Sequence, residues 1–216
     1  NWRWRPETLE PARRQPMRVG RLLRGYWEFG SNPRFVALAF ASGIPFNGLF
    51  LYVLSAPVFL GELLGLAPTQ FFWFFVLNVA GIMAGSGLGG RLAGRIAPKR
   101  QIRHGFVVMA VTCVVNLGYA LALPSQAPWA LLPIAVFSFG WALMVPVVTL
   151  MVLDLAPERR GMASSLQAFV GSLTNGLVAG VISPLVMHSA VGLAATALAM
   201  LGGGVGAWLW VKPRVA

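Results

Sequence analysis

Neutral polar side chains stand out in this sequence because little else in its apolar stretches can do chemistry. Asn47, Asn78, Gln167, Thr174 and Asn175 lie in runs otherwise made of aliphatic, aromatic and small residues. An amide donates and accepts hydrogen bonds, so in hydrocarbon it either meets a polar solute or joins two helices. Ser164, Gln167, Gly171 and the adjacent pair Thr174 and Asn175 recur at steps of three or four, which places them along one helix face. Two uses of that stripe stand side by side. It lines a cavity, or it packs helices through small and hydrogen-bonding residues, as the GxxxG in GLVAG at 176–180 also suggests. Catalysis is not among its uses. No nucleophile and base, metal-ligand cluster or phosphate loop appears, and His104, His188 and Cys113 each stand alone.

Other candidates share faces in the same way. Asn47 lies with Phe50 and Leu54, flanked by Pro45 and Pro57, and each proline frees a carbonyl and permits a bend suited to a gate. Pro146 offers the same. Proline is also common in membrane helices, so ordinary structure accounts for it equally well. Asn78 shares a face with Gly81, Gly85 and Gly89, where glycines allow close helix contact and the amide is a packing group or a substrate contact. Phe137, Trp141 and Met144 could form a soft wall for an apolar solute or simply pack. Thr112, Asn116 and Tyr119 share a face suited to bonding neighbouring helices. Asp154 stands near Glu158, Arg159 and Arg160, a set that serves as a gate ion pair or a solvated loop.

The elements that carry these residues follow from composition. Hydrophobic residues make up 57% of 216 and charged residues 11%, a membrane composition rather than a soluble one. Three stretches almost free of charge, 34–91, 103–154 and 160–212, are each long enough for two helices of about 20 residues. Breaks at 61–70, 124–128 and 187–192 divide them, predicting spans at 35–60, 70–90, 105–123, 129–153, 162–186 and 191–211.

The 17 Lys and Arg residues all fall before the first span or after the second, fourth and sixth. Cations concentrate in cytoplasmic loops, so both ends of the chain are expected in the cytoplasm. This asymmetry explains the net charge of +11 without a nucleic-acid partner. Phe71, Phe72, Trp73, Phe74 and Trp129 at one boundary, and Trp208 and Trp210 at the other, fit interfacial aromatic belts. Residues 1–34 have no apolar core for a signal peptide. Val19, Leu22, Leu23 and Tyr26 recur there at helical spacing, which suits a short helix on the inner membrane surface; a solvated basic connector is the alternative. The expected organisation is a cytoplasmic loop over 1–34 and an all-α six-helix bundle over 35–216.

The run Pro6-Glu7-Thr8-Leu9, the groups Leu23-Arg24 and Tyr26-Trp27, ASGIPFNGLFLYVLSAPVF at 41–59, FFVLNVAG at 74–81 and LDLAPERRGMASSL at 153–166 resemble the Bcr/CflA drug-resistance transporters of the major facilitator superfamily. The resemblance implies the C-terminal half of a twelve-helix fold, helices seven to twelve, whose missing N-terminal six-helix half belongs to the same polypeptide. It implies three-helix repeats at about 35–123 and 129–211, rocking of two bundles about a central site, and a cavity faced by helices seven, eight, ten and eleven. GGRLAGR at 89–95 is similar to the superfamily's Gly-rich loop but lacks its acid, which leaves a relay role for Arg91 unsupported.

The expected substrate contacts are Asn47, Phe50, Asn78, Trp141, Gln167 and Asn175, and the expected gate or hinge residues are Pro45, Pro57, Pro146, Asp154, Arg159 and Arg160. The expected function is proton-coupled efflux of drugs or small amphipathic metabolites across the inner membrane, driven by the gradient with no bound cofactor. No carboxylate lies mid-span, so the coupling acid is expected in the other half. Export of sugars, nucleosides or amino-acid-related metabolites is the alternative. A non-transporting membrane scaffold or receptor subunit is a third reading.

Overall fold

The computed structural model describes residues 19–214, and all regular structure among them is helical. The PETL run at 6–9 and the basic residues before Val19 lie outside the described residues. Helix α1 covers Val19–Gly30. Asn32 then caps α2 (Pro33–Leu54): its side chain accepts the Arg34 N–H at 3.0 Å, and Pro33 occupies the first turn, where no amide donor is needed.

Among the described residues, six helices are long and apolar enough to cross a membrane. They agree with the predicted spans in number and order, and three differ in outline. The first is not one α-helix to residue 60. It stops at Leu54, where the Ser55 N–H is shared between the Leu51 and Val53 carbonyls. Pro57 has no N–H to continue the ladder, and the chain widens into a π-helical segment, Pro57–Leu63.

Helix α3 covers Phe72–Leu92, and α4 covers Pro98–Ala122, starting seven residues before position 105. Pro98 is well suited to a helix start, and Lys99, Arg100 and Arg103 ride the first turns with long stems that carry charge to the interface. Helix α5 covers Leu132–Asp154. The fifth span is composite: α6 (Arg160–Leu177), a π segment (Val178–Ile182) and the short α7 (Ser183–Val186). Ser189 caps α8 (Ala190–Val211), its hydroxyl accepting the Gly192 N–H at 3.0 Å.

Helix α5 is central, packed on α3 and α4 most extensively and on α2 and α6 besides; α8 closes the other side against α2 and α4. Lipid tails provide no hydrophobic drive between helices, so close backbone approach does the work. A Cβ on Gly81 would overlap the Ala135 carbonyl oxygen, and one on Gly85 the Phe139 carbonyl oxygen. A Cβ on Gly105 would lie 2.7 Å from both the Gly140 oxygen and the Met144 Cβ. On the opposite side, the Pro45 ring fills the space beside Gly204 of α8.

Two sequence expectations change here. Gly176 and Gly180 of the GLVAG motif meet nothing within 4 Å, so this GxxxG packs no helix among the described residues. Phe74 and Trp208 are buried rather than part of an aromatic belt, because their rings turn toward neighbouring helices; Phe72, Trp73 and Trp129 are exposed as expected.

Candidate solute-binding face

Three helices meet in a cluster of amides and rings. From α2 come Ser42, Phe46, Asn47 and Phe50; from α5, Trp141; from α6, Gln167 and Thr174. Asn47 Nδ2 donates to the Gly43 carbonyl at 3.0 Å and to Thr174 Oγ1 at 3.2 Å, joining α2 to α6. The Trp141 indole N–H donates to the Ser42 carbonyl at 3.1 Å, joining α5 to α2. Gln167 Nε2 donates to Ser42 Oγ at 3.4 Å. Phe46 lies against Trp141 with ring centroids 4.8 Å apart and stacks on Phe50 at 5.7 Å.

The α2 contribution follows from spacing. Ser42, Phe46 and Phe50 are four residues apart, one face of a helix, and Asn47 lies one position round. Pro45 sits between them, buried against α8, and removes the amide that would have bonded the Ala41 carbonyl. Phe46, Phe50, Trp141, Gln167 and Asn175 are all half-buried, so rings and amides reach the helix surface together.

Of the six predicted contacts, Asn47, Phe50, Trp141 and Gln167 meet here. Asn175 adjoins Thr174 in sequence, and its Oδ1 is buried with no hydrogen-bond partner. Asn78 lies elsewhere, between α3 and α5: its Nδ2 donates to the Phe74 carbonyl at 2.8 Å and its Oδ1 accepts from the Ser138 hydroxyl at 2.7 Å. Phe137 and Met144 are buried on the α4 side of α5, so only Trp141 of that trio reaches the shared face. Ser42 and Phe46 were not among the sequence candidates; the four-residue spacing to Phe50 was the available signal.

The other polar residues hold the bundle. Asn116 donates to the Tyr52 hydroxyl at 2.8 Å across α4 and α2, whereas Thr112 and Tyr119 bond within their own helix and the following loop. Gln101, which the sequence did not single out, is buried at the start of α4 and donates to the Leu143 carbonyl at 2.9 Å and the Gly89 carbonyl at 3.4 Å.

At the basic end, Arg160 pairs with Asp154 at 2.9 Å, and Arg159 reaches α1 instead, pairing with Glu28 at 3.4 Å. Gly25 of α1 packs beneath Met162, and the Tyr26 hydroxyl lies 2.9 Å from Ser165 Oγ. Helix α1 therefore seats Gly25 and Tyr26 on α6, while Val19 and Leu23 of the expected apolar stripe stay exposed. A concavity of about 410 Å³ opens here, bounded by Glu28, Asn32, Leu155, Glu158 and Arg159. Pro57 and Pro146 are exposed. A larger groove of about 780 Å³ between α4 and the start of α5, walled by Val111, Val115, Leu123, Trp129 and Val136, is distant from the amide cluster and carries no charged group.

Residues 1–179 match the Major Facilitator Superfamily profile. The chain belongs to the Major Facilitator Superfamily. Members of this superfamily are transporters rather than enzymes, and the six long apolar helices fit a multi-pass membrane protein. It is 28% identical to the uncharacterized MFS-type transporter YdgK of Bacillus subtilis (strain 168) over 181 residues, covering 83% of this chain and 44% of that protein. It is 22% identical to the bicyclomycin resistance protein homolog of Haemophilus influenzae over 192 residues, covering 86% of this chain and 46% of that protein. The chain thus spans a little under half the length of these relatives.

Proposed function

We propose that this Major Facilitator Superfamily chain is the C-terminal six-helix bundle, helices seven to twelve, of a Bcr/CflA-type inner-membrane exporter. In this reading residues 1–34 are the cytoplasmic central loop, with α1 at the membrane surface, and 35–216 form the bundle. Both ends are cytoplasmic, the basic end being the inner one by the distribution of all 17 cations. The other bundle comes from the same polypeptide and completes a central cavity.

One observation carries the reading. The α2–α5–α6 cluster presents Phe46, Phe50 and Trp141 beside neutral amides, with no charged side chain in it. Such a surface suits drugs or small amphipathic metabolites, since adaptable rings supply contact and a few polar groups fix orientation. The name of the Haemophilus influenzae relative, a bicyclomycin resistance protein homolog, agrees with drug export.

The proton gradient is the proposed energy source. No Asp or Glu lies mid-span in this chain, so the titrating group of the antiporter is assigned to the other bundle. Asp154, Arg159 and Arg160 form the inner gate with α1, and Pro45, Pro57 and Pro146 are places where spans bend. Export of a sugar, nucleoside or amino-acid-related metabolite is the second reading, favoured by the hydrogen-bonding amides.

The test is flux through the intact polypeptide in proteoliposomes, before and after replacing Asn47, Gln167 and Asn175. Loss of transport with retained folding is expected. Unchanged transport of every compound tested would remove the cavity assignment, and no flux at all would favour a scaffold or receptor subunit.

A further inference from the structure

The hydrogen-bond inventory of the α2–α6 seam is unbalanced, and the imbalance has a sign. Asn47 is buried, and one of its amide atoms lies 3.0 Å from the Gly43 carbonyl oxygen. A carbonyl oxygen only accepts, so that atom is the NH₂ group and the orientation of the amide is fixed. The remaining atom, Oδ1, is then a buried acceptor without a donor.

Its neighbour cannot supply one. Thr174 Oγ1 lies 3.0 Å from the Val170 carbonyl and 2.8 Å from the Gly171 carbonyl, so its single hydrogen is committed to the backbone. The Ser42 hydroxyl likewise points at the Leu38 and Ala39 carbonyls, 3.3 and 3.2 Å away. Trp141 and Gln167 already give their N–H groups to Ser42. One residue beyond Thr174, Asn175 Oδ1 is a second buried acceptor with no partner. Gln167 keeps a second N–H, but neither it nor any other donor of the seam is bonded to these two oxygens, and an unmet buried polar group keeps its whole desolvation penalty.

The seam is also the place where the fold can give way. Along α6 only Ala163 is buried, so little holds the helix down. Three residues after Asn175 the helix widens into the π segment, and the Val178 N–H is shared between the Thr174 and Asn175 carbonyls. Such widenings are frequent at functional sites.

Resting on the reading of this face as the substrate site, we propose that it selects solutes which donate hydrogen bonds: flat aromatic compounds, neutral or cationic, bearing an N–H or O–H group. The donor satisfies Asn47 Oδ1, with Asn175 Oδ1 as the second acceptor, while the ring lies against Phe46, Phe50 and Trp141. Aryl carboxylates, sulfonates and phosphates are rejected, because they bring only acceptors to acceptors and the site holds no cation to receive them.

The experiment is calorimetric titration of the intact polypeptide in lipid nanodiscs with three matched probes: 2-naphthamide, methyl 2-naphthoate and 2-naphthoate. The amide has the donor, the ester keeps shape and acceptor without it, and the carboxylate adds charge. We expect the amide to bind about tenfold more tightly than the ester, and the carboxylate more weakly than either. Asn47→Leu should bring the amide-to-ester ratio close to one while ester affinity persists. Should that variant fail to fold, Asn175→Leu, on the loosely held helix, should lower the ratio in the same direction.

Equal binding of amide and ester to the wild type, with both weakened by Phe46→Ala, would overturn donor selection and leave the site standing. Carboxylate binding as tight as the amide would do the same. If none of the probes binds, or Phe46→Ala leaves binding unchanged, the site reading falls and donor selection falls with it.

Discussion

Ser55 and Ser183, 128 positions apart, place their hydroxyl oxygens 3.1 Å from each other in the buried interior. They join the end of the first span to the end of the fifth, each next to a π-helical segment. One step further out, His188 Nδ1 lies 3.6 Å from Glu62 Oε2, linking the same two spans at the surface. These two are the only Asp, Glu, Lys, Arg or His residues in the three turns opposite the basic end.

A hydroxyl pair predicts non-additive mutants. Ser55→Ala leaves the Ser183 hydroxyl without its partner and should cost about 1–3 kcal/mol, whereas the double alanine variant removes both groups and should be close to neutral. Thermal unfolding of the detergent-solubilised protein checks this. A double variant as unstable as the sum of the singles would show that the hydrogen bond is not what holds these ends together.

Glycine contacts between α3 and α5 predict a steep steric response. Gly85→Ala drives a methyl group into the Phe139 carbonyl and should destabilise by about 1–3 kcal/mol, at the upper end because backbone must move. Gly87→Ala, two positions on, meets open space and should be silent or slightly stabilising. Size-exclusion profiles and melting temperatures of the two variants provide the comparison.

Gln101 predicts a cost hidden from any charge count. Gln101→Leu keeps the bulk and withdraws the donor shared by the Leu143 and Gly89 carbonyls, so about 1–3 kcal/mol should be lost. Hydrogen exchange at the α4–α5 contact should rise in step. Unchanged exchange there would mean that the carbonyls find other donors.

The pair Asp154–Arg160 is more than half exposed on both sides, so Asp154→Asn should shift stability by less than about 1 kcal/mol, and less still at high salt. A gate role separates from this through kinetics: transport rate should fall while the melting temperature holds. Equal rates in wild type and variant would assign the pair to the solvated surface.

The arrangement of spans was legible because charge is expensive in hydrocarbon, so gaps between charges count helices. The same logic underestimates length where cations sit on a helix, as Lys99, Arg100 and Arg103 do on α4. It also passes over changes of helix type, since Pro57–Leu63 and Val178–Ile182 are as apolar as their neighbours apart from Glu62. Within the candidate face, Asn47, Trp141 and Gln167 were found because amides and indoles are conspicuous among aliphatic residues. Ser42 was missed because a serine that bonds its own helix looks like any small residue, and its partners come from distant sequence. Asn78 and Asn47 are indistinguishable in sequence. The Phe74 carbonyl and the Ser138 hydroxyl between them meet both needs of the first amide, while Thr174 has no hydrogen left for the second.

The glycine seam has a mechanical consequence. Helices whose backbones touch at Gly81 and Gly85 have no compressible layer of side chains between them, so α3 and α5 form a single stiff plate. With Pro45 keyed beside Gly204, α2 and α8 make a second plate. Helix α6 meets the second plate through the side-chain bonds Asn47–Thr174 and Gln167–Ser42, with no backbone contact at Gly171 or Gly176. Side-chain bonds yield more readily than touching backbones, so α6 is the most easily displaced face of the bundle, and two amide oxygens without a donor lie along it.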